Sequence, residues 1–193
     1  MVTDPNWEEK LQPLIERDQF IREALHNRGV LSDAYHPEME KCHIENSKKL
    51  QKLIKDHGFP VLSNAGEKGV RYSWLIIQHS ISLPDFMKEA LLQMRLAAAA
   101  SDYPLELLAS TEDSVAYFEG RKQIYGTFFD WQEGELRPVP IDDAHFVDHR
   151  RKSMGLPPLA EALFKFSHEL PPKDPVKKLK DFEAWLKKVG WRN

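Results

Sequence analysis

The stretch Gln123-Ile124-Tyr125-Gly126-Thr127-Phe128-Phe129 interrupts a chain whose other long segments carry the apolar period of a helix. Tyr125 to Gln132 and Leu136 to Ile141 are rich in aromatic residues and prolines, and Gly134 stands between them. Two short apolar runs separated by a glycine turn predict a β-hairpin near residues 125–141. The prolines of the second run restrict that strand to an edge of the sheet.

Outside this hairpin the apolar residues recur at helical spacing, as in the stripe Trp7, Leu11, Leu14, Ile15, Ile21 and Leu25. Pro84 and Pro104 each precede a further helical pattern. Residues 63–69 contain two glycines and are predicted to form a loop, whereas the apolar segment 70–79 is predicted to be the most buried helix. The expected fold is therefore mainly α, a single compact helical domain over residues 1–193 with one small hairpin.

The length and composition agree with one domain, since 193 residues with 41% hydrophobic content can bury a full core. The C-terminal segment 173–190 carries many lysines and an apolar stripe, so it is predicted to be a helix that packs on the core. An anionic partner docking on its basic face is the alternative.

The charge and cysteine content narrow the function classes. A formal net charge of −3 gives no global field for nucleic acid or an anionic membrane, so neither partner is expected. Cys42 is the single cysteine, and the acidic N-terminus lacks the apolar core of a signal peptide. No apolar run approaches the ~20 residues of a membrane span. A soluble, cytoplasmic protein is expected, and a protein partner is left open.

Candidate site residues in the first half of the chain are Arg17, Asp18, Arg22, Gln78 and His79. The imidazole of His79 follows an apolar helix and suits a general acid or base. A buried histidine that only bonds to a neighbouring helix is the alternative. Asp18 and Arg22 are four residues apart, so an intrahelical ion pair competes with a ligand-binding role for both.

Candidate residues in the second half surround the predicted hairpin and the helix after it: Gln123, Tyr125, Thr127, Asp148, Arg150 and Arg151. Tyr125 and Thr127 alternate with a glycine, which places both hydroxyls on one side of a strand. The hydroxyl of Tyr125 is a candidate catalytic group. The arginines could grip a phosphate or carboxylate, although a solvated helix face explains the same charges.

No metal site and no cofactor are predicted. His145 and His149 have a spacing that can hold a metal on one helical face, but no glutamate joins them. Cys42 and His43 are adjacent, and adjacent residues on a helix point about 100° apart, which argues against a nucleophile and base pair.

Six short motifs in fixed order resemble the signature of a bacterial family recorded as a domain of unknown function. They are Arg17-Asp18-Gln19 with Arg22, Asn46 followed by His57-Gly58-Phe59-Pro60, Gln78-His79, Gly120 with Gln123-Ile124-Tyr125-Gly126-Thr127, Asp148 with Arg150-Arg151, and Gly155-Leu156. The resemblance spans about Arg17 to Leu163. Relatives commonly carry Trp at position 59 and often Gln at position 128, where this chain has Phe. The resemblance implies a shared polar site without naming a reaction.

Two functions remain open from the sequence. The first is a small metal-independent enzyme that acts on a polar, anionic small molecule by acid/base chemistry, with His79, Asp18 and Tyr125 as the catalytic residues. The second is a non-catalytic ligand-binding or protein-interaction module that uses the same polar residues.

Overall fold

The structure is a computed structural model that describes residues 6–30, 35–132, 135–166 and 174–193. These residues form eight α-helices, one 3-10 turn and one two-stranded antiparallel sheet, so the mainly α class is confirmed. The chain divides into two compact units, Met1–Tyr103 and Pro104–Asn193. The single-domain organisation therefore stays a prediction. In the described part of the chain, no helix has the length and apolar character needed to cross a membrane.

The first unit consists of four helices: α1 Trp7–Asn27, α2 Pro37–His57, α3 Leu62–Gln78 and α4 Pro84–Ala99. α1 begins where the Asn6 side chain accepts the backbone N–H of Glu9, and prolines stand in the first turns of α2 and α4. α1 packs against α2 and α3. The core between them is made of fully buried apolar side chains, among them Leu11, Leu25, Leu50, Val70 and Ile77.

Gly69 sets the approach of α1 to α3. A Cβ atom at this position would lie 2.8 Å from the Cβ of Trp7, closer than side chains pack. Trp7 is itself only 2% exposed, so it has no room to move away. The absence of a side chain at Gly69 therefore permits the close contact between the two helices.

The predicted loop over residues 63–69 is wrong, because α3 already begins at Leu62. The Asn64 side chain accepts the backbone N–H of Val61 and so starts the helix earlier than the glycines suggest. Gly66 has φ 65° inside the helix and produces a kink there. The glycine signal thus marks a bend in α3 rather than its absence.

The second unit consists of α5 Leu105–Phe118, β1 Phe129–Gln132, β2 Glu135–Pro138, a 3-10 turn Ala144–Phe146, α6 Val147–Ser153, α7 Leu159–Phe166 and α8 Pro175–Val189. Phe129 pairs with Pro138 and Gln132 pairs with Glu135, which confirms a small hairpin within residues 125–141. Tyr125 and Thr127 precede β1, so the prediction that they lie on a strand is wrong. The predicted turn at Gly134 lies outside the described residues.

The most buried helix is α5 and not the predicted segment 70–79. Ten side chains of α5 are buried, including every one from Asp113 to Phe118. In α3, Trp74 and Leu75 are only partly buried, although Ile76 and Ile77 are buried. Their apolar character misled the prediction because an apolar run does not fix how many neighbours surround a helix.

α8 packs against α5 within the second unit. Phe182 stacks on Tyr117 with ring centroids 6.2 Å apart, and Leu186 is fully buried. Beyond the helix, the Arg192 guanidinium donates to the backbone carbonyls of Tyr117 and Phe118. The first residue of the predicted segment 173–190 lies outside the described residues.

Candidate functional site

Polar side chains occupy the buried faces of two helices in the first unit. On α1, Asp18 follows Leu11, Leu14 and Ile15 on the buried face and is itself 5% exposed. On α2, the buried face carries His43 together with Asn46 and Ser47. Helical spacing calls for apolar residues at such positions, so each buried polar group needs a partner.

Asp18, His43 and His79 meet in what we term the Asp18 cluster. Oδ2 of Asp18 lies 2.7 Å from Nδ1 of His79, the residue that ends α3. The same oxygen lies 3.1 Å from Nε2 of His43. The two imidazole rings face each other at 4.5 Å between centroids. The three possible ligand atoms all lie within 4.8 Å of one another, which is close enough for one metal ion to reach all three.

The cluster is buried on one side and open on the other. The side chains of Asp18 and His43 are 7% and 8% exposed, whereas that of His79 is 33% exposed. Burial alone raises the pKa of the Asp18 carboxyl, but the contacts with His43 and His79 outweigh it, and the pKa lies well below its usual range. Burial lowers the pKa of His43, and the contact with Asp18 opposes that effect. The open side at His79 is where a ligand can approach.

Behind His43 a line of hydrogen bonds runs to a carboxylate. Nδ1 of His43 lies 2.6 Å from the hydroxyl oxygen of Tyr35. Tyr35 is in turn hydrogen-bonded to Ser82, whose hydroxyl donates to Oε1 of Glu40 at 2.9 Å. These bonds fix the ring of His43 relative to α2 and to the segment after α3.

Of the other first-unit candidates, Arg17 forms an ion pair, whereas Arg22 forms none with the residues that the structure describes. The Arg17 guanidinium lies 2.6 Å from Glu45, so its anion-binding role has a competitor. Arg22 is exposed and, among the residues that the structure describes, forms neither the predicted ion pair with Asp18 nor any other. Its positive charge nevertheless contributes to lowering the pKa of His43, which places it near the cluster. Gln78 precedes His79 at the end of α3 and is partly buried.

In the second unit, Asp113 on α5 organises the segment that the sequence analysis singled out. Its carboxylate accepts the backbone N–H groups of Ile124, Tyr125 and Thr127, and also the Thr127 hydroxyl. Asp113 is fully buried. Burial, together with the charge and hydrogen bond of Glu112, raises the pKa of Tyr125 to about 12. The segment is thus held by a carboxylate that the sequence analysis did not select.

The remaining second-unit candidates contact backbone groups. Arg151 is 2% exposed and donates to the carbonyls of Tyr125, Gly126 and Pro157. The guanidinium of Arg150 donates to the carbonyls of Ile124, Asp142 and Asp143.

The other two residues are engaged in the same way. The Gln123 amide donates to the carbonyls of Phe128 and Val139 and accepts the N–H of Phe128. Asp148 accepts the first N–H of α7. A ligand role for these four residues stays a prediction, while their contacts serve to hold the loop and hairpin.

His43 was not among the candidates chosen from the sequence, although the sequence carries a signal for it. His43, Asn46 and Ser47 recur at helical spacing along the buried face of α2, where a buried polar cluster breaks the apolar stripe. The other histidine pair that spacing suggested, His145 and His149, is exposed on both members. Among the described residues, the Asp18 cluster is the group with metal-ligand spacing.

This geometry describes an α-helical protein with a buried carboxylate–imidazole cluster that opens to solvent on one side. The chain belongs to a family of unknown function, DUF6624, whose model matches residues 5–169. The match confirms the resemblance to a family of unknown function, while the individual motifs stay a prediction. Searches of the curated proteins and of the solved structures found no match.

Proposed function

We propose that the chain is a small enzyme that acts on a polar, anionic small molecule by acid/base chemistry at the Asp18 cluster. The observation that supports this most is the 2.7 Å contact between the buried Asp18 carboxylate and the partly exposed His79 imidazole. A carboxylate that fixes one nitrogen of an imidazole also fixes where the other side of the ring points. Proton transfer then takes place at the open side of the cluster.

Arg22 supplies the preference for an anion. It stands one helical turn after Asp18 on α1, so both side chains leave the same side of the helix. A guanidinium without an ion pair among the described residues is available to a carboxylate or phosphate, which it can bind through two parallel hydrogen bonds. Arg17 is the weaker candidate because Glu45 already holds it.

The proposal is tested first by anion binding. Inorganic phosphate and malonate should each raise the melting temperature of the full chain in proportion to RT ln(1 + [L]/Kd). Arg22→Ala should reduce that shift without lowering the melting temperature in the absence of anion. Arg71→Ala is the matched control, because Arg71 pairs with Glu67 on the surface of α3. Equal shifts in Arg22→Ala and wild type would contradict the assigned role of Arg22.

Turnover separates an enzyme from a binding module. Small phosphate esters and carboxylic esters are incubated with the protein, and products are followed by NMR. Wild type should convert at least one compound class, and His79→Ala should lose that activity while its far-UV circular dichroism is unchanged. Anion binding without turnover of any class would favour the non-catalytic module. If the anions do not bind either, the proposed function is wrong in both forms.

A further inference from the structure

The two ring nitrogens of His43 have different surroundings. Nδ1 lies 2.6 Å from the hydroxyl oxygen of Tyr35 and is hydrogen-bonded to it. Nε2 is buried and, among the described residues, has no hydrogen-bond partner. A buried polar atom of this kind needs a partner.

The unpartnered Nε2 of His43 faces a carboxylate oxygen. Nε2 lies 3.1 Å from Oδ2 of Asp18, and both side chains are more than nine-tenths buried. The two atoms lack the alignment of a hydrogen bond, and among the described residues Nε2 has no hydrogen-bond partner at all. A cation bound between Nε2 and Oδ2 would give the buried nitrogen a partner and would also attract the carboxylate.

We propose that Asp18, His43 and His79 together bind a divalent transition-metal ion. Metal bonds of ~2.0–2.2 Å place neighbouring nitrogen and oxygen ligands roughly 3 Å apart, and Nε2 and Oδ2 show this spacing. Two imidazoles and one carboxylate suit zinc, iron, cobalt or manganese better than calcium or magnesium. A bound ion would explain why the buried Nε2 of His43 faces Asp18 without a hydrogen-bond partner.

The groups around the cluster support the same conclusion. A histidine that binds a metal through one nitrogen usually donates its other N–H to an oxygen, and the Tyr35 hydroxyl oxygen lies 2.6 Å from Nδ1 of His43, where it can accept such a bond. Three protein ligands leave coordination positions open for water or substrate, and the exposed side of His79 gives access to them.

The catalytic use of this metal site rests on the proposed function. A water molecule on the ion would be the acid/base group, because a bound metal ion lowers the pKa of its water. An anionic substrate would then lie between two positive charges, the ion and Arg22.

The experiment is a metal titration of the full chain after chelator treatment and dialysis. Zn²⁺ is added in a calorimeter, and Co²⁺ is added while the visible absorption of nitrogen and oxygen coordination is recorded. Wild type should bind one ion per chain. Asp18→Asn and His43→Ala should lose the site, whereas the double variant His145→Ala/His149→Ala should keep it. If only the double variant loses the ion, or if wild type does not bind at millimolar metal, the inference is wrong.

Tyr35→Phe provides a test that does not depend on removing a ligand. It deletes the oxygen that fixes His43 and leaves the three ligands in place, so metal affinity should fall roughly 10–100-fold. Unchanged affinity in a folded Tyr35→Phe variant would contradict the role of Tyr35 in orienting His43.

The two proposals can fail separately. Anion binding and turnover that continue in the presence of a chelator would leave the proposed function standing and overturn the metal site. Tight metal binding without anion binding or turnover would leave the metal site standing and overturn the proposed function.

Discussion

Replacing Asp113 with asparagine should destabilise the second unit strongly, although it changes one oxygen into an NH2 group. Oδ1 of Asp113 accepts the N–H groups of Ile124 and Tyr125 at 2.7 and 3.0 Å. Oδ2 accepts the N–H and the hydroxyl of Thr127 at 2.8 and 3.0 Å. Asparagine can serve one of these two sides as an acceptor, and its NH2 group then faces the other.

The size of the effect follows from the bonds that are lost. With the amide oxygen on the side of Ile124 and Tyr125, the Thr127 hydroxyl can rotate to accept from the new NH2 group. The Thr127 N–H cannot, and a buried donor without a partner costs about 1–3 kcal/mol. The two remaining bonds lose their charge assistance, which is worth about 1 kcal/mol each. The free energy of unfolding should therefore fall by about 3–5 kcal/mol.

Urea unfolding followed by circular dichroism and tryptophan fluorescence measures this loss. Thr127→Val removes the hydroxyl bond and spares the three N–H bonds, so it should cost about 1 kcal/mol. Asp142→Asn is the matched control at an exposed position and should stay within about 0.5 kcal/mol of wild type. An Asp113→Asn variant as stable as this control would refute the role given to the carboxylate.

Three further predictions concern stability. Ile76 is 2% exposed, so Ile76→Ala should lower the free energy of unfolding by about 2–5 kcal/mol through cavity formation; an unchanged urea midpoint would contradict its burial. The pKa of Tyr125 lies at about 12, above its ordinary value. Its contribution is therefore present below about pH 10 and is lost as the pH rises towards that folded value. Wild type should lose stability more steeply than Tyr125→Phe over this window, and parallel curves would argue against the shift. Deleting residues 174–193 removes Leu186 and Trp191 from the core, so the urea midpoint should fall, whereas an unchanged midpoint would favour partner docking by α8.

The helices could be predicted from the sequence because their signals are local. The apolar stripe from Trp7 to Leu25 gives α1, and Pro84 and Pro104 mark the starts of α4 and α5. Gly66 misled the prediction because a glycine in a kinked helix and a glycine in a loop give the same local pattern. The helix forms here because the Asn64 side chain accepts the backbone N–H of Val61 at its start.

The candidate site could be predicted only in part. Asp18 and His79 were chosen for their residue types, and the contact between them follows from the packing of α1 on α3. His43 was set aside because it was compared with its neighbour in the chain rather than with its neighbours on the helix face. Asp113, in contrast, gave no signal, since an acidic residue in a predicted helix is ordinarily taken to face water.

Gly69 lies outside the Asp18 cluster, but it helps to set the distances within the cluster because it sets how closely α1 approaches α3. Eleven residues separate Trp7 from Asp18 along α1, and ten separate Gly69 from His79 at the end of α3. At 1.5 Å per residue, both paths advance about 15–17 Å, so the two helices run side by side from one contact to the other. A single methyl group at position 69 would force α1 and α3 apart by several tenths of an ångström, a change comparable to the difference between a metal bond and no bond. The precision of the donor atoms is thus set three helical turns away, by a residue that has no side chain.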